Sequence, residues 1–507
     1  MSTLHPTPGA PTPPIAIAGD GAATARLPTR TVDLEDAFVA ELGRACADIT
    51  IDLRDRAEAS RDWWPLAMVW ATEGQVGAIA GAVARPSTAA EVSAVLATCN
   101  AAGVPVTAAG GRSSVVGGTV PVYGGVVLDL CALSGIVAVD PISMIVEVLP
   151  GTFGDALEAE LGATYGLTVG HWPQSMALST VGGWLACRGA GQYSNRYGKI
   201  EDIVVGLEVV LADGRTIRTG GQPRQAVGPD LNQVFVGSEG TLGVITRAWL
   251  QAHRQPTHER RCAYGFGSFA EGLDTMRRIT QRGATPAVMR LYDEIESQRN
   301  HQTADGVNVL LVLDQGDGTI IEAGMEVVAE ECMTAQRLDP SLVDHWMEKR
   351  NDVDALEALI GKGFVVDTME VAGQWSALPS IFEAATAAIG AVEGTLAVSA
   401  HQSHSYQTGG CLYFTFAGRV EADQRDGYYT AAWDAGTRAV LGLGGALSHH
   451  HGVGLSRARF VAEALGSAFE TLVTVKQALD PAGILNPGKL GLPSPFGADP
   501  FGAGPTP

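Results

Sequence analysis

Three glycine-rich stretches, one run of histidines, a tyrosine and an arginine are where this 507-residue chain could do chemistry. Ala108-Ala109-Gly110-Gly111-Arg112-Ser113-Ser114 follows a short apolar run, with Gly117-Gly118 close behind. Adjacent glycines let successive N–H groups turn toward one point, a nest for phosphate oxygens, and the serines add hydroxyl donors. Taken alone, such a turn more often only reverses the chain. Two further loops change that balance. One is Ser179-Thr180-Val181-Gly182-Gly183-Trp184, running into Cys187-Arg188-Gly189-Ala190-Gly191. The other is Gly237-Ser238-Glu239-Gly240-Thr241-Leu242-Gly243-Val244-Ile245. Three small-residue loops, each beside an apolar segment, point to a large, flat, phosphorylated ligand lying along the backbone.

Simpler motifs are absent. No Gly-x-Gly-x-x-Gly opens a helix after a strand, so a Rossmann site is unsupported. Gly198-Lys199-Ile200 has the wrong spacing for a phosphate-binding P-loop. No Gly-x-Ser-x-Gly elbow exists to carry a hydrolytic serine.

In Ser448-His449-His450-His451-Gly452-Val453-Gly454, an extended backbone would put His449 and His451 on one face and His450 on the other. No second cluster with zinc spacing accompanies them, so no metal is expected. A polar site that holds negative charge or moves protons is the sharper reading, against a hydrogen-bonded structural role. Alternation in Cys411-Leu412-Tyr413-Phe414-Thr415-Phe416 sends Leu412, Phe414 and Phe416 one way and Tyr413 and Thr415 the other. Tyr413 is either a packed ring with a bonded hydroxyl or an acid–base group. Arg290, alone in an apolar strand, pairs with a core carboxylate or faces a ligand.

The elements that must position these residues follow from periodicity. A Ser/Thr start signal precedes a helix from Ala89 to Ala102, and Val104 to Ala108 reads as a buried strand. Strands are predicted at 125–130, 136–139 and 145–148, a helix at 153–161, and a hairpin turning at Asp213-Gly214. After a polar, basic stretch at 251–261 come a helix at 269–281, a strand at 307–313, a helix at 320–337 and a strand at 411–417. A final amphipathic helix is predicted at 460–479. This mixture is α+β, without the strict alternation of a doubly wound sheet.

A chain this long needs two or three domains. With 46% hydrophobic and 18% charged residues it is globular. Its formal net charge of −21 would repel nucleic acid and anionic membranes, leaving a small-molecule or lipid-like substrate as the expected partner. No apolar run is long enough to span a bilayer. Seven scattered cysteines without a CxxC fit a reducing compartment, and a cytoplasmic location is expected. Residues 1–30 and 492–507, rich in Pro, Ala and Gly, are expected to be unstructured tails.

Taken together, the motifs resemble the alkyldihydroxyacetonephosphate synthases, a branch of the vanillyl-alcohol-oxidase group of FAD proteins. The resemblance covers about residues 81–490. It rests on Ser179–Trp184, Gly228-Pro229-Asp230, Gly237–Ile245, Ser448–Gly454 and the ending Leu479-Asp-Pro-Ala-Gly-Ile-Leu-Asn-Pro-Gly-Lys489. It implies a PCMH-type FAD-binding domain at 81–255 behind an N-terminal segment at 31–80. An α/β cap would span 256–445, and a segment at 446–491 would return to the FAD domain; a homodimer stays open.

FAD would be held by Thr107, Ala108, Ala109, Gly110, Gly111, Arg112 and Ser113 at its pyrophosphate. Pro173, Gln174, Ser175, Met176, Ala177, Leu178 and Ser179 would line the rest, with Cys187, Arg188, Gly189, Ala190, Glu239, Gly240, Thr241, Leu242, Gly243, Val244 and Ile245. His171 would sit near the flavin. Tyr413 would move a proton, cationic His449, His450 and His451 would steady developing charge, and Arg290 would be needed for activity.

The implied reaction exchanges the acyl chain of an acyl-dihydroxyacetone-phosphate for a fatty alcohol, without net redox. FAD-linked oxidation of an alcohol or 2-hydroxy acid is the alternative, and a non-catalytic flavoprotein the third. Two departures stand out. Arg112 replaces a threonine of the family's glycine loop, either strengthening pyrophosphate binding or projecting into solvent. The family's substrate-phosphate arginine also has no counterpart in Asp354-Ala355-Leu356-Glu357; the nearest cations are Lys349, Arg350 and Lys362.

Overall fold

The computed structural model describes residues 9–19 and 23–501. The chain first builds a four-stranded sheet in the order Ile49–Thr50, Ala82–Ala84, Val126–Asp129, Val106–Ala109, the last three parallel. Thr88 caps the helix Ala89–Ala102, its hydroxyl accepting the Glu91 N–H, and Gly103 ends it in the left-handed region. Val92, Val95, Leu96 and Cys99 are the buried face of that helix. The strand Val106–Ala109 then delivers the chain into the first glycine loop.

A second, five-stranded antiparallel sheet runs Thr216–Gly220, Val204–Val210, Val244–Gln251, Ile145–Val148, Ile136–Asp140. The helix Gly154–Tyr165 and the short helix Val181–Cys187 contribute Leu157, Leu161, Val181, Trp184 and Leu185 to the same core.

From His258 a seven-stranded antiparallel sheet forms. Its order is Gln336–Leu338, His258–Phe266, Asn308–Gly316, Val288–Tyr292, Thr395–Ser405, Gly409–Gly418, Val365–Gln374. One face packs on the helices Phe269–Gln281, Gly318–Glu331, Leu378–Gly390 and Arg425–Gly442. Met289, Leu291, Leu412, Phe414 and Phe416 point that way. Strand alternation therefore leaves Arg290, Tyr413 and Thr415 on the other face, toward the first two sheets.

Two elements differ from the periodicity. The helix expected at 320–337 ends at Glu331, because Gln336–Leu338 adds an edge strand beside His258–Phe266. The last helix is broken: Gly466, at φ 52, separates Val461–Leu465 from Phe469–Leu479.

The expected tails are also laid down wherever they are described. Thr12 is buried and its carbonyl accepts the Trp63 indole N–H, while Thr24–Ala25 pairs with Gln75–Val76. At the other end Tyr123 donates to the carbonyls of Gly497 and Ala498, and Phe501 meets Trp64 edge-on. Aromatic rings that a Pro/Gly-rich composition does not advertise hold both segments. Residues 1–8, 20–22 and 502–507 lie outside the described residues.

The C-terminal segment returns to the first sheet, where Val106 donates to the Ile484 carbonyl and Asn486 to that of Val106. All seven cysteines are free. No helix among the described residues is long and apolar enough to cross a membrane.

Candidate active site

A cavity of about 660 Å³ lies between the glycine loops and the open face of the seven-stranded sheet. Its two walls are built from different materials.

The first wall is backbone. Residues 108–113 line it, and the N–H groups of residues 110–115 donate to no other backbone group among the described residues. Arg112, at φ 56, turns the loop into a concave row of donors. Side chains are excluded for a local reason: a Cβ at Gly111 would collide with the Leu178 carbonyl, and one at Gly110 with the Thr180 hydroxyl. The Arg112 guanidinium does not project freely but donates to Asp129 Oδ2 at 2.9 Å at the edge of the cavity.

Pro173, Gln174, Ser175, Leu178, Ser179, Cys187, Gly189, Ala190, Glu239, Gly240, Gly243, Val244 and Ile245 also line the cavity. Thr107, Met176, Ala177, Arg188, Thr241 and Leu242 do not. Met176 and Leu242 are core side chains, and Thr241 donates to the Ser238 carbonyl. Arg188, left-handed at φ 60, sends its guanidinium to Glu201 and Gln233.

His171 lines the cavity fully buried, its ring 4.6 Å from that of Trp184, and neither ring nitrogen has a partner. Burial, with Lys199 nearby, pushes its pKa down to about 3. A neutral imidazole with one donor and one acceptor unused, beside a row of open N–H groups, fits a cofactor with phosphates and a heteroatom-rich ring such as FAD.

The second wall is side chain. The Tyr413 hydroxyl donates to Thr368 Oγ1 at 3.0 Å, and its ring stacks on His401 at 4.7 Å and faces His450 at 6.0 Å. Burial raises the Tyr413 pKa, so the hydroxyl stays protonated at neutral pH. Arg290 reaches His401 Nε2 at 2.6 Å through Nη2, while its Nε–H is buried without a partner. His401 Nδ1 lies 2.9 Å from Glu296 Oε2. Neither His401 nor Glu296 stands out in the sequence. The signal was the alternation of His401 and Ser403 in the strand next to Tyr413.

Arg350 also lines this wall, its guanidinium 5.3 Å from the Trp172 ring and 4.9 Å from that of Tyr193, donating to Gln192 Oε1. Lys349 is beside it. Cations therefore do reach the cavity next to Ala355 and Leu356, from the end of the preceding helix; Lys362 is not among the lining residues.

His450 and His451 line the cavity but His449 does not. Glu370 organises their loop from a fully buried position. Its Oε1 accepts the N–H groups of His450 and His451 and the Ser448 hydroxyl, and Arg457 donates to both its oxygens. His451 Nδ1 comes within 2.9 Å of Oε2 without hydrogen-bond alignment. Burial pulls the Glu370 pKa up, but the Arg457 charge wins and holds it well below the usual range.

Glu239, itself left-handed, ties the third glycine loop to the histidine loop by accepting the N–H groups of Val453 and Gly454. His449 is held behind the wall, Nε2 2.7 Å from the Tyr406 hydroxyl and Nδ1 2.9 Å from His450 Nδ1. Ring nitrogens of His404, His449 and His450 lie within 4.8 Å of one another, but both on His449 are already engaged. The expectation of cationic histidines is corrected for two of the three. Burial takes His449 down to about 3 and His450 well below its usual value.

Comparison with known proteins points to the same cofactor. Residues 80–220 match the family model described as an FAD binding domain, and residues 255–490 the C-terminal domain of FAD-linked oxidases. An uncharacterized FAD-linked oxidoreductase of Escherichia coli K12, YgcU, is 34% identical over 384 residues, 72% of this chain and 79% of that protein. The alkyldihydroxyacetonephosphate synthase of Trypanosoma brucei brucei is 32% identical over 68% of this chain and 61% of its own length. A solved alkyldihydroxyacetonephosphate synthase structure shares the fold, with a TM-score of 0.77 at 23% identity, covering 96% of this chain and 90% of that one.

Proposed function

The chain belongs to the alkyldihydroxyacetonephosphate-synthase-like, PCMH-type family of FAD-binding proteins, and from that premise we propose that it transforms an anionic substrate held between bound FAD and Tyr413. The observation that carries this is the convergence of Tyr413, Arg290, His450 and His451 on one cavity, opposite the open N–H groups of residues 110–115. FAD, when bound, supplies the electron-accepting centre. The chain's own residues do the rest.

Residues 110–115 bind the pyrophosphate through backbone, which costs no side-chain ordering. Arg290 turns its unpartnered Nε–H to negative charge that develops on the substrate. Tyr413, kept protonated by burial, gives its hydroxyl proton to the substrate and takes it back as product forms, the Thr368 hydroxyl turning to donate to the phenolate in between. Neutral His450 exchanges a proton rather than carrying fixed charge. Arg350 and Lys349 hold the substrate's anionic group, taking the place of the arginine missing from 354–357. The first reading is exchange of the acyl chain of an acyl-dihydroxyacetone-phosphate for a fatty alcohol.

A second reading, oxidation of a compact 2-hydroxy acid, is favoured by one observation. The side-chain wall carries four cations, Arg290, Arg299, Lys349 and Arg350, against three alkyl side chains, Val353, Ala355 and Leu356. Anaerobic visible spectra separate the two. Bleaching of the flavin band by acyl-dihydroxyacetone-phosphate, with fatty acid released and no acceptor present, is expected for the exchange. Bleaching only by hydroxy acids would replace it with oxidation.

A further inference from the structure

Arg290, His401 and Glu296 form a chain whose polarity is fixed by elementary valence. A guanidinium can only donate, so His401 Nε2, 2.6 Å from Arg290 Nη2, must present its lone pair. The single proton of a neutral His401 then sits on Nδ1, aimed at Glu296 Oε2 2.9 Å away. The Nδ1–H form is selected from both sides at once. All three residues line the cavity, and His401 and Glu296 are buried. Arg299 reaches Glu296 Oε1 at 3.2 Å, and the Ser399 and Thr415 hydroxyls approach the same oxygen. The His401 ring packs flat on Tyr413, 4.7 Å away and tilted by 17°.

We infer that Glu296 and His401 are positioning residues: a carboxylate–imidazole–guanidinium relay that aims the free Nε–H of Arg290 into the cavity and seats the Tyr413 ring. The inference rests on the proposed roles of Arg290 and Tyr413. Its own content, the relay, can be tested without any substrate. Glu296 anchors a ring nitrogen, the ring accepts from the guanidinium, and only then is the orientation of Arg290 determined. Without the relay, Arg290 has Tyr292 below it, its guanidinium carbon 5.3 Å from the ring centroid, as a competing resting place.

The charges around His401 agree with the polarity. Burial and the neighbouring Arg290 lower its pKa to about 4 against the pull of Glu296, with Arg299 lowering it further. For Glu296 burial raises the pKa, but His401, Arg299 and Arg290 offset it and leave the group near 2. The two values meet in one state above about pH 4: carboxylate, neutral imidazole, guanidinium. Below it, a proton on Nε2 would confront the Arg290 N–H.

The test uses FAD-loaded full-length protein with 15N-labelled histidine, the His401 signal being identified by its loss in His401→Phe. Between pH 5 and 8 the expected spectrum has a protonated Nδ1 and an unprotonated Nε2. Glu296→Leu should lose that pattern, while Glu296→Gln, whose amide oxygen still accepts, should keep it. His401→Phe preserves an aromatic ring against Tyr413 but frees Arg290. Its flavin content should be unchanged and its kcat lower by about 100-fold, the scale of a misplaced group. An Nε2–H or doubly protonated His401 at pH 7 would overturn the relay. So would a His401→Phe enzyme with wild-type kcat and pH profile. A wild-type protein that shows the Nδ1–H pattern but turns over no tested substrate would instead count against the proposed function alone.

Discussion

The two walls of the cavity differ in what a substitution would disturb. On the FAD side the contacts are backbone N–H groups and glycines, so almost any side chain added there intrudes. On the cap side they are ionisable groups, each locked by a partner: Tyr413 to Thr368, Arg290 to His401, His450 to His449, and the whole loop to Glu370. A wall of backbone suits a cofactor that stays, and a wall of partnered side chains suits chemistry that must change protonation. The contrast yields separable failures: damage to the first wall should empty the protein of flavin, and damage to the second should leave it yellow and slow.

The largest effect is expected from Gly111→Val. Its Cβ meets the Leu178 carbonyl, which is backbone and cannot step aside. The purified variant should lack the flavin absorption band; a normal flavin-to-protein ratio would remove the glycine wall from the account.

Next is Glu370→Gln. Glu370 and Arg457 are both fully buried, so the change strands the Arg457 charge, a loss of about 3–5 kcal/mol. Denaturant unfolding should show that drop, and retained stability would mean that the pair is not the keystone of the histidine loop.

Acid should act more gently and mostly on the cap side. His171, His401 and His449 have folded pKa values depressed by burial to about 3, 4 and 3, against about 6.5 unfolded. Depressed groups contribute stability that is complete above the unfolded pKa and is lost as pH falls toward the folded one. These histidines therefore add no slope from pH 8 to 7 and take away about 1.4 kcal/mol per pH unit each below 6.5, opposed by the buried carboxyls of Glu158, raised to about 7, and of Asp62, Asp293 and Asp367, raised to about 6. Replacing His401 or His449 by Phe should flatten that slope by one proton; an unaltered slope would show that the histidine titrates normally.

The smallest effect is expected for Arg112→Thr, which restores the residue common in this family's loop. It removes one largely buried ion pair, to Asp129, which keeps the Cys131 N–H as a partner, and should cost about 1–3 kcal/mol while leaving flavin content intact. Loss of flavin would mean that the Arg112 charge, rather than the backbone, holds the phosphates.

The first wall was more legible than the second. Glycine placement announces a backbone surface, because only glycine allows loops to pack as closely as Gly110 and Gly111 do on Thr180 and Leu178. Alternation likewise gave the face of Tyr413, while Arg290 stood out only as a lone cation in an apolar strand. The partners were not legible, because Glu296, Glu370, His401 and Arg457 come from four separate elements that meet only in the folded chain. Burial was equally hidden, and it is what makes His449 and His450 neutral. Arg350 was visible as a charge, but nothing in a linear pattern placed it between the Trp172 and Tyr193 rings.

The most direct test of the division between the walls is the visible spectrum of wild type and Tyr413→Phe, before and after anaerobic addition of acyl-dihydroxyacetone-phosphate. Both proteins should carry the same flavin band, and bleaching should be slower in Tyr413→Phe by about 10²–10⁴-fold. A colourless Tyr413→Phe, or one that bleaches as fast as wild type, would contradict the account.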